Sequence, residues 1–568
     1  MHTSNDGVYS TRFNEKGEEV ARLAMGNRLG REAILYSQPD KAIPIVFLPG
    51  IMGTPLIAID GDSPISEMNN KWAWFPDSIT WMAGVKLKVG PPKLEAYITT
   101  GFRTLTPKQR SLMLKPGKTR VPLPDEADLM GLSQLNSQNE NDTLSEEECR
   151  KRGWGSVLLG SNGYGEFLRY LDAVLNNVHY QGQVTPQWKD RAVQINNMLK
   201  NENIPDLINQ SCEKDKDFTL DDAEHLGNWY FPVYAAGYNW LESNDTSAKE
   251  IADRIKDVLS DCQNRLGLKC NKVIIVTHSM GGLVARMCAK KYSDNILGVI
   301  HGVQPINGAA TAYHRVVAGW DFSKGVGFIF GTAPSALIPI FVNKGPLELL
   351  PNKNYGKGWF NVNRVSGVWD KKEENLLSLP KLNPYAEIYR DTKSWWRLIT
   401  PEKIMPESSD IDKAMALYLS NVSSSEVFHD ELNSFFHDQT YIHYGQSESQ
   451  KTWFNISFNV NLLMSSKVDH ANREDILNGK LLRDYGYANN ASYIEAKNGA
   501  VVAVKIKKRD GRGDGTVPAD SMHLTLGNGV RSITVIDNIV HGASYDHDLC
   551  RLATLYGICE IVGGCGDT

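Results

Sequence analysis

The sequence predicts an α/β protein: a mostly parallel central sheet flanked by helices and interrupted by a large insertion. Three observations carry this prediction. Strand-like and helix-like patterns alternate between residues 231 and 303. The apolar runs among them are short and nearly continuous, as in strands buried on both faces. The alternation is lost between about 311 and 437 and then resumes. Parallel sheets carry their sites at the carboxyl ends of the strands, so chemistry is expected in the residues that follow each one.

The elements follow in order. Residues 42–47 (AIPIVF) form an apolar run that ends in the glycine-rich loop LPGIMGTPL, as a buried strand feeding a loop does. Residues 231–238 (FPVYAAGY) read as the next strand. Ser247-Ala248-Lys249-Glu250 is a capping-box pattern that opens a helix, and Ile251, Ile255, Val258, Leu259 and Cys262 recur along it at helical spacing. Strand 272–276, helix 282–292 and strand 296–303 come next. After the insertion, TYIHYG (440–445), VVAVKIKK (501–508) and SITVIDNIV (532–540) are expected to complete the same sheet.

The expected organisation is therefore an N-terminal extension (1–41), a core made of 42–310 and 438–568 with a loop-rich insertion at about 60–160, and a cap or lid insertion at 311–437. The most apolar part of that cap is VGFIFGTAPSALIPIFV, residues 326–342, framed by Lys324 and Lys344. At this length, with Pro334 and Pro339 inside, it is a poor spanning helix. It reads either as packed helices or as a lid whose apolar underside meets lipid.

At 568 residues the chain exceeds a compact domain of usual size and is long enough to bury a large core. A net charge of −5 over that length provides no concentrated basic surface, so nucleic acid is not an expected partner. The N-terminus lacks the apolar stretch of a secretory signal, so synthesis in the cytoplasm is expected. No C-x-x-C pair occurs among the eight cysteines, and neither a metal nor another cofactor is expected. Cys262 and Cys270 flank a short polar loop and have the option of a disulfide; free thiols are the expectation.

Within VTHSMGG (276–282), Ser279 follows an apolar strand and precedes two glycines. A serine hydroxyl is a weak nucleophile that needs a base within hydrogen-bond reach and a scaffold that exposes it. A sharp strand-to-helix turn supplies such a scaffold, and its usual sequence is G-x-S-x-G. Here Thr277 replaces the first glycine. Downstream, in the order Ser, Asp, His, come Asp514 in the loop GDGTVP (513–518), flanked by Asp510 and Asp520, and His541 after the last strand. His541 is the expected base and His547 the alternative, while His278 should point elsewhere. Reading DGRGDG (510–515) as a calcium loop fails, because Arg512 stands where an oxygen ligand belongs. An oxyanion needs two preorganised N–H donors, expected from Met280 and from Ile51 in the loop after the first strand. The run PGKT (116–119) is no phosphate loop, since Leu112 occupies the place of its first glycine.

With LPGIMG, THSMGGLVAR, GDGTVP and His541 in place, the chain resembles the α/β-hydrolase lipases related to lecithin:cholesterol acyltransferases and GPI-inositol deacylases. Through GYNWL (237–241), HGVQPINGAATAYHR (301–315), GPLELLPNKNYGKGW (345–359) and GDGTVPADS (513–521) it is most similar to bacterial antibacterial lipase effectors of type VI secretion. The resemblance implies an α/β-hydrolase fold and lipase or phospholipase action on membrane lipids. It also implies a lid over the serine, a secretion-apparatus spike component as carrier, a cognate immunity protein, and action at the periplasm or membrane of a target cell. Acyl transfer and general esterase action would use the same residues, and a non-catalytic membrane-interaction protein on a hydrolase scaffold is the reading from another class.

Overall fold

The computed structural model describes residues 39–59, 71–77, 105–129, 144–160, 163–180, 183–200, 217–319, 340–366, 372–400, 411–461, 471–483, 491–523 and 529–564, with short pieces at 7–10, 12–13, 19–20, 33–36, 85–88, 95–98, 102 and 404. Six strands form the central sheet: β1 (Ile45–Leu48), β2 (Val233–Ala235), β3 (Val273–His278), β4 (Ile296–Gly302), β5 (Thr440–Gly445) and β6 (Val530–Ile536). Their spatial order is β2-β1-β3-β4-β5-β6, and every pairing is parallel. The chain runs from β1 outward to β2, crosses back to β3 on the other side of β1, and continues in that direction. The order therefore reverses between β1 and β3, the place where open α/β sheets hold their ligands.

Both faces of the sheet are covered, which is why its strands read as unbroken apolar runs. Val46, Leu48, Val273 and Ile275 point into one core and Ile45, Phe47, Ile274 and Val276 into the other, the period of two that a pleated strand imposes. Helices α2 (Asn244–Asn264) and α3 (Gly281–Lys291) close the first face, and α1 (Gly165–Leu175) and α4 (Asp548–Gly563) the second. The predicted stripe Ile251, Ile255, Val258, Leu259 and Cys262 is buried along α2. Its large aliphatic side chains each contribute about 1.5–3 kcal/mol.

Two expectations are corrected. Helix α2 starts one turn earlier than the capping-box pattern suggests: Ser243, in extended backbone, accepts from Thr246 N–H and is the N-cap, while Ser247 lies buried inside the helix. The strand at Val501–Ile506 does not join the central sheet. It belongs to a second six-stranded sheet with Phe360–Ser366, Lys372–Leu379, Ile456–Asn461, Lys480–Arg483 and Ser492–Glu495. That sheet takes two strands from the segment 311–437 and four from beyond it, and its apolar face, including Phe458, Val502 and Val504, is continuous with the core around α2 and α3. In and next to the segment 311–437, helices span Ala310–Ala318 and Ile411–Leu432. Of the apolar stretch 326–342, residues 326–339 lie outside the described residues, and Ile340 and Phe341 at its end are buried. Among the described residues no helix is long and apolar enough to cross a membrane. Cys262 and Cys270 are free thiols.

Candidate active site

Strand β3 ends at His278, and the next residue, Ser279, adopts φ 52° before α3 begins. Left-handed backbone is costly for a residue with a side chain, and such strain persists only where the surroundings impose it. Four of the five described non-glycine residues with positive φ, Met52, Ser279, Val303 and Asn538, stand within four residues of the carboxyl end of β1, β3, β4 or β6. The strain is thus concentrated along one edge of the sheet.

The two glycines after the serine have different neighbours. A Cβ on Gly281 would stand 2.6 Å from the Pro49 carbonyl oxygen and 2.7 Å from that of Leu48, so α3 begins pressed against the end of β1. A Cβ on Gly282 would meet the buried side chain of Gln304 at 2.6 Å. Thr277, in place of the usual elbow glycine, is fully buried, and its hydroxyl is 3.1 Å from Nδ1 of His301 on β4. Its carbonyl accepts from the Tyr545 hydroxyl at 2.7 Å. The threonine therefore fits because the neighbouring strand offers it a polar partner.

The loop after β1 is a tight turn: Gly53 N–H donates to the Gly50 carbonyl at 3.0 Å, with Met52 at φ 65° as its third residue. It is fixed from several sides. Pro49 O accepts from the Tyr238 hydroxyl, Met52 O from the Trp74 indole and Gly53 O from Leu158 N–H. Gly50 lies so close to the elbow that a Cβ there would reach Ser279 Cβ at 3.1 Å and His278 Nδ1 at 2.7 Å. Among the described residues, neither the Ile51 nor the Met280 N–H donates to a backbone carbonyl.

Asp514 arrives from far along the chain. Two short antiparallel strands, Ser447–Thr452 and Gly511–Gly513, carry the GDGTVP turn to the end of β5, where the Asp514 Cβ lies 2.9 Å from the place a Gly445 Cβ would take. Asp514 Oδ1 accepts from Thr516 N–H (2.9 Å) and Val517 N–H (2.7 Å), leaving Oδ2 to meet His541 Nδ1 at 2.7 Å. His541 Nε2 is 2.8 Å from Ser279 Oγ. Ser279, His541 and Asp514 thus form one hydrogen-bonded run, with His541 in the middle. Asp510 instead ties the loop at Phe454 and Asn455, and His547 caps α4 by accepting from Leu549 N–H.

Sequence reasoning missed the floor of this site. His278 does point away from Ser279, but its Nε2 is 2.8 Å from the carbonyl oxygen of His541 and its Nδ1 is 3.0 Å from the Tyr164 hydroxyl. Burial, with a smaller contribution from neighbouring His541, pushes the His278 imidazole down to about 3. His443 on β5 is also pushed to about 3 by burial, and His301 falls well below its ordinary value for the same reason, reinforced by Arg286. The floor is therefore made of uncharged imidazoles. Tyr164 stands outside any motif, and its part depends on where α1 lands; the only local hint was His278 itself.

No family model matches the chain, and no curated protein matches it. Among solved structures, it is similar to one described as the crystal structure of the Tle4–Tli4 complex, with 26% identity and a TM-score of 0.69 over 92% of this chain and 99% of that one. It also matches EstA from Clostridium botulinum (12% identity, TM-score 0.23, 58% of this chain and 78% of that one). A third match is phospholipase PlaB from Legionella pneumophila (11%, 0.14, 53% and 84%). At such scores the last two carry no argument. The fold is the α/β-hydrolase fold, as the motifs suggested, and the likeness to the first structure runs almost end to end.

Proposed function

We propose that this α/β-hydrolase chain is a serine lipase or phospholipase that cleaves acyl esters of membrane lipids through an acyl-enzyme on Ser279. The observation that carries the reading is the hydrogen-bonded run from Ser279 Oγ through His541 to Asp514, at 2.8 and 2.7 Å, with Ser279 held in left-handed backbone. His541 Nε2 takes the hydroxyl proton as Oγ attacks the ester carbonyl carbon. Asp514 accepts from Nδ1–H, fixes the tautomer and stabilises the imidazolium. The N–H groups of Ile51 and Met280 receive the developing oxyanion. The imidazolium then protonates the departing alcohol, and water activated by the neutral imidazole releases the fatty acid.

Lipid as the substrate class rests on the resemblance of the motifs to lipases and on the apolar sequence 326–342 within the segment 311–437, which we read as a cap over the serine. Similarity of the same motifs to type VI lipase effectors, with the near full-length match to the Tle4–Tli4 structure, supports an antibacterial effector. It would travel with a spike component, act at a target cell's membrane from the periplasm, and be neutralised in the producer by an immunity protein.

Incubating the protein and its Ser279→Ala variant with defined phospholipids, and identifying products by mass, tests the chemistry. Free fatty acid from the wild type and a loss of more than about 10³-fold in the variant are expected. Transferred ester in the presence of an added alcohol would make the chain an acyltransferase. Undiminished hydrolysis by Ser279→Ala would remove the serine from the reaction.

A further inference from the structure

Beneath the elbow, four groups from distant parts of the chain make one directed series of hydrogen bonds. Gly50 N–H donates to the Tyr164 hydroxyl oxygen at 3.0 Å, that hydroxyl lies 3.0 Å from His278 Nδ1, and His278 Nε2 lies 2.8 Å from the His541 carbonyl oxygen. The direction of each bond is fixed. A carbonyl oxygen only accepts, so His278 Nε2 carries a proton. His278 stays neutral because it is buried, so Nδ1 accepts and the Tyr164 hydroxyl donates to it. The phenol oxygen is then free to accept from Gly50. No member has an alternative arrangement that satisfies every group.

The two ends of this series are the two parts of the site that must be aligned when charge develops. Gly50 immediately precedes Ile51, the assigned oxyanion donor. His541 is the assigned base, and its own N–H donates to the Asp514 carbonyl at 2.9 Å, so its backbone is held on both sides. The rings follow the same path: Tyr164 packs on Phe47 of β1 at 4.8 Å between centroids, and His278 lies 5.5 Å from Tyr164 and 5.2 Å from His541. Gly50 lacks a side chain where one would strike His278 Nδ1 at 2.7 Å, which accounts for the glycine in LPGIMG.

We propose that Tyr164 and His278 are positioning residues, a brace that fixes the oxyanion loop and the base relative to each other across the nucleophile elbow. The proposal rests on the reading of Ser279, His541 and Asp514 given above. Neither brace residue touches the reacting atoms, so both act on alignment in the transition state and leave ground-state binding nearly unchanged.

The test uses the full-length protein, a soluble short-chain nitrophenyl ester and four variants: Tyr164→Phe, His278→Asn, His278→Gln and Ser279→Ala. Tyr164→Phe keeps the ring and removes the hydroxyl that joins the two halves. It is expected to lower kcat by about ten- to a hundredfold, with KM changed less than about twofold and a displaced acid limb of the pH profile. A glutamine at 278 places its amide near the Nε2 position and retains a donor for the His541 carbonyl. An asparagine places it near Nδ1 and does not. His278→Gln should therefore recover a substantial part of the rate that His278→Asn loses. If Tyr164→Phe stays within about twofold of wild-type kcat while Ser279→Ala is inactive, the brace is idle and the nucleophile assignment stands. If losses merely follow the folded fraction, with the pH profile unmoved and no preference for glutamine, the brace holds the fold alone and the proposal is wrong. An active Ser279→Ala would remove the reading on which it rests.

Discussion

The nucleophile half and the acid–base half of this site are held in place by different forces. Ser279 and the loop after β1 are fixed by contact: adjacent parallel strands end together, α3 abuts two backbone carbonyls at Gly281, and Met52 and Ser279 take positive φ. Asp514 and His541 are fixed by hydrogen bonds: two N–H groups on Asp514 Oδ1, Oδ2 on Nδ1, and the His541 backbone bonded at both N–H and carbonyl. The first half tolerates no added atom. The second tolerates no lost donor or acceptor. Substitutions should separate the two accordingly.

The largest effect is expected from Asp514→Asn. An amide of the same shape still accepts from Thr516 and Val517 through its oxygen, but it presents N–H to His541 Nδ1. The imidazole must then carry its proton on Nε2, facing Ser279, where it has no lone pair to accept the hydroxyl proton. By analogy with the same change in a serine-protease triad, kcat should drop by about 10⁴ while the melting temperature moves little. A rate within tenfold of wild type would show that tautomer control by Asp514 is not what this half contributes.

Acid stress reaches both halves through their shared floor. The His278 and His443 imidazoles are held at about 3 by burial, below the ordinary value of about 6.5 for an exposed histidine. A depressed folded value means the unfolded chain takes up protons first as pH falls. The stability of the neutral folded form is therefore complete above about pH 6.5 and declines from there toward pH 3, by up to about 1.4 kcal/mol per pH unit for each histidine. Melting temperature should fall steeply between pH 6.5 and 5, and less steeply in His443→Gln. Equal slopes for the two proteins would mean that His443 is not a buried neutral group.

Added bulk should discriminate the halves in the opposite sense. Gly281→Ala directs its methyl at the Leu48 and Pro49 carbonyl oxygens, which belong to backbone and cannot rotate away. A cost of about 1–3 kcal/mol is expected, with activity down about a hundredfold as the elbow shifts. Gly542→Ala, beside the base, meets no atom within 4 Å and should stay within about 0.5 kcal/mol. Urea midpoints and ester hydrolysis rates for the pair measure the contrast. Similar effects at both positions would refute it.

This division also explains what the sequence made legible. The elbow itself is written contiguously: an apolar run, a serine and glycines encode strand, strain and close approach within a dozen residues. Asp514 and His541 are predicted because each follows strand-like sequence in an expected order, not because any pattern joins them. The sequence does not place the strand at Val501–Ile506 in its own sheet, because alternation of apolar residues encodes burial and leaves the pairing partner unspecified. Ser247 fits the capping pattern although Ser243 is the cap, since both precede a polar turn and only the backbone conformation at 243 separates them. Tyr164 was invisible: it lies 114 residues from both Gly50 and His278, and its hydroxyl matters only once the first helix is docked on the sheet.

The smallest loss of activity at a buried position is expected at Thr277, where the chain departs from the common glycine. If glycine were simply the better residue for the turn, Thr277→Gly should stabilise the protein. The structure argues otherwise, because the Thr277 hydroxyl pairs with His301 Nδ1 inside the sheet, and both residues are inaccessible to water. Thr277→Gly and the nearly isosteric Thr277→Val both leave that ring nitrogen buried and unpaired, at a cost of about 1–3 kcal/mol. Glycine adds backbone freedom in the unfolded chain and should be the less stable of the two by about 0.5–1 kcal/mol. Because Thr277 faces β4 and not the reacting groups, kcat of the folded variants should stay within about fivefold of wild type, far less than the effect of Asp514→Asn. Calorimetry ranks the three proteins, and a Thr277→Gly variant as stable as wild type would place the steric demands of the elbow above its buried hydrogen bond.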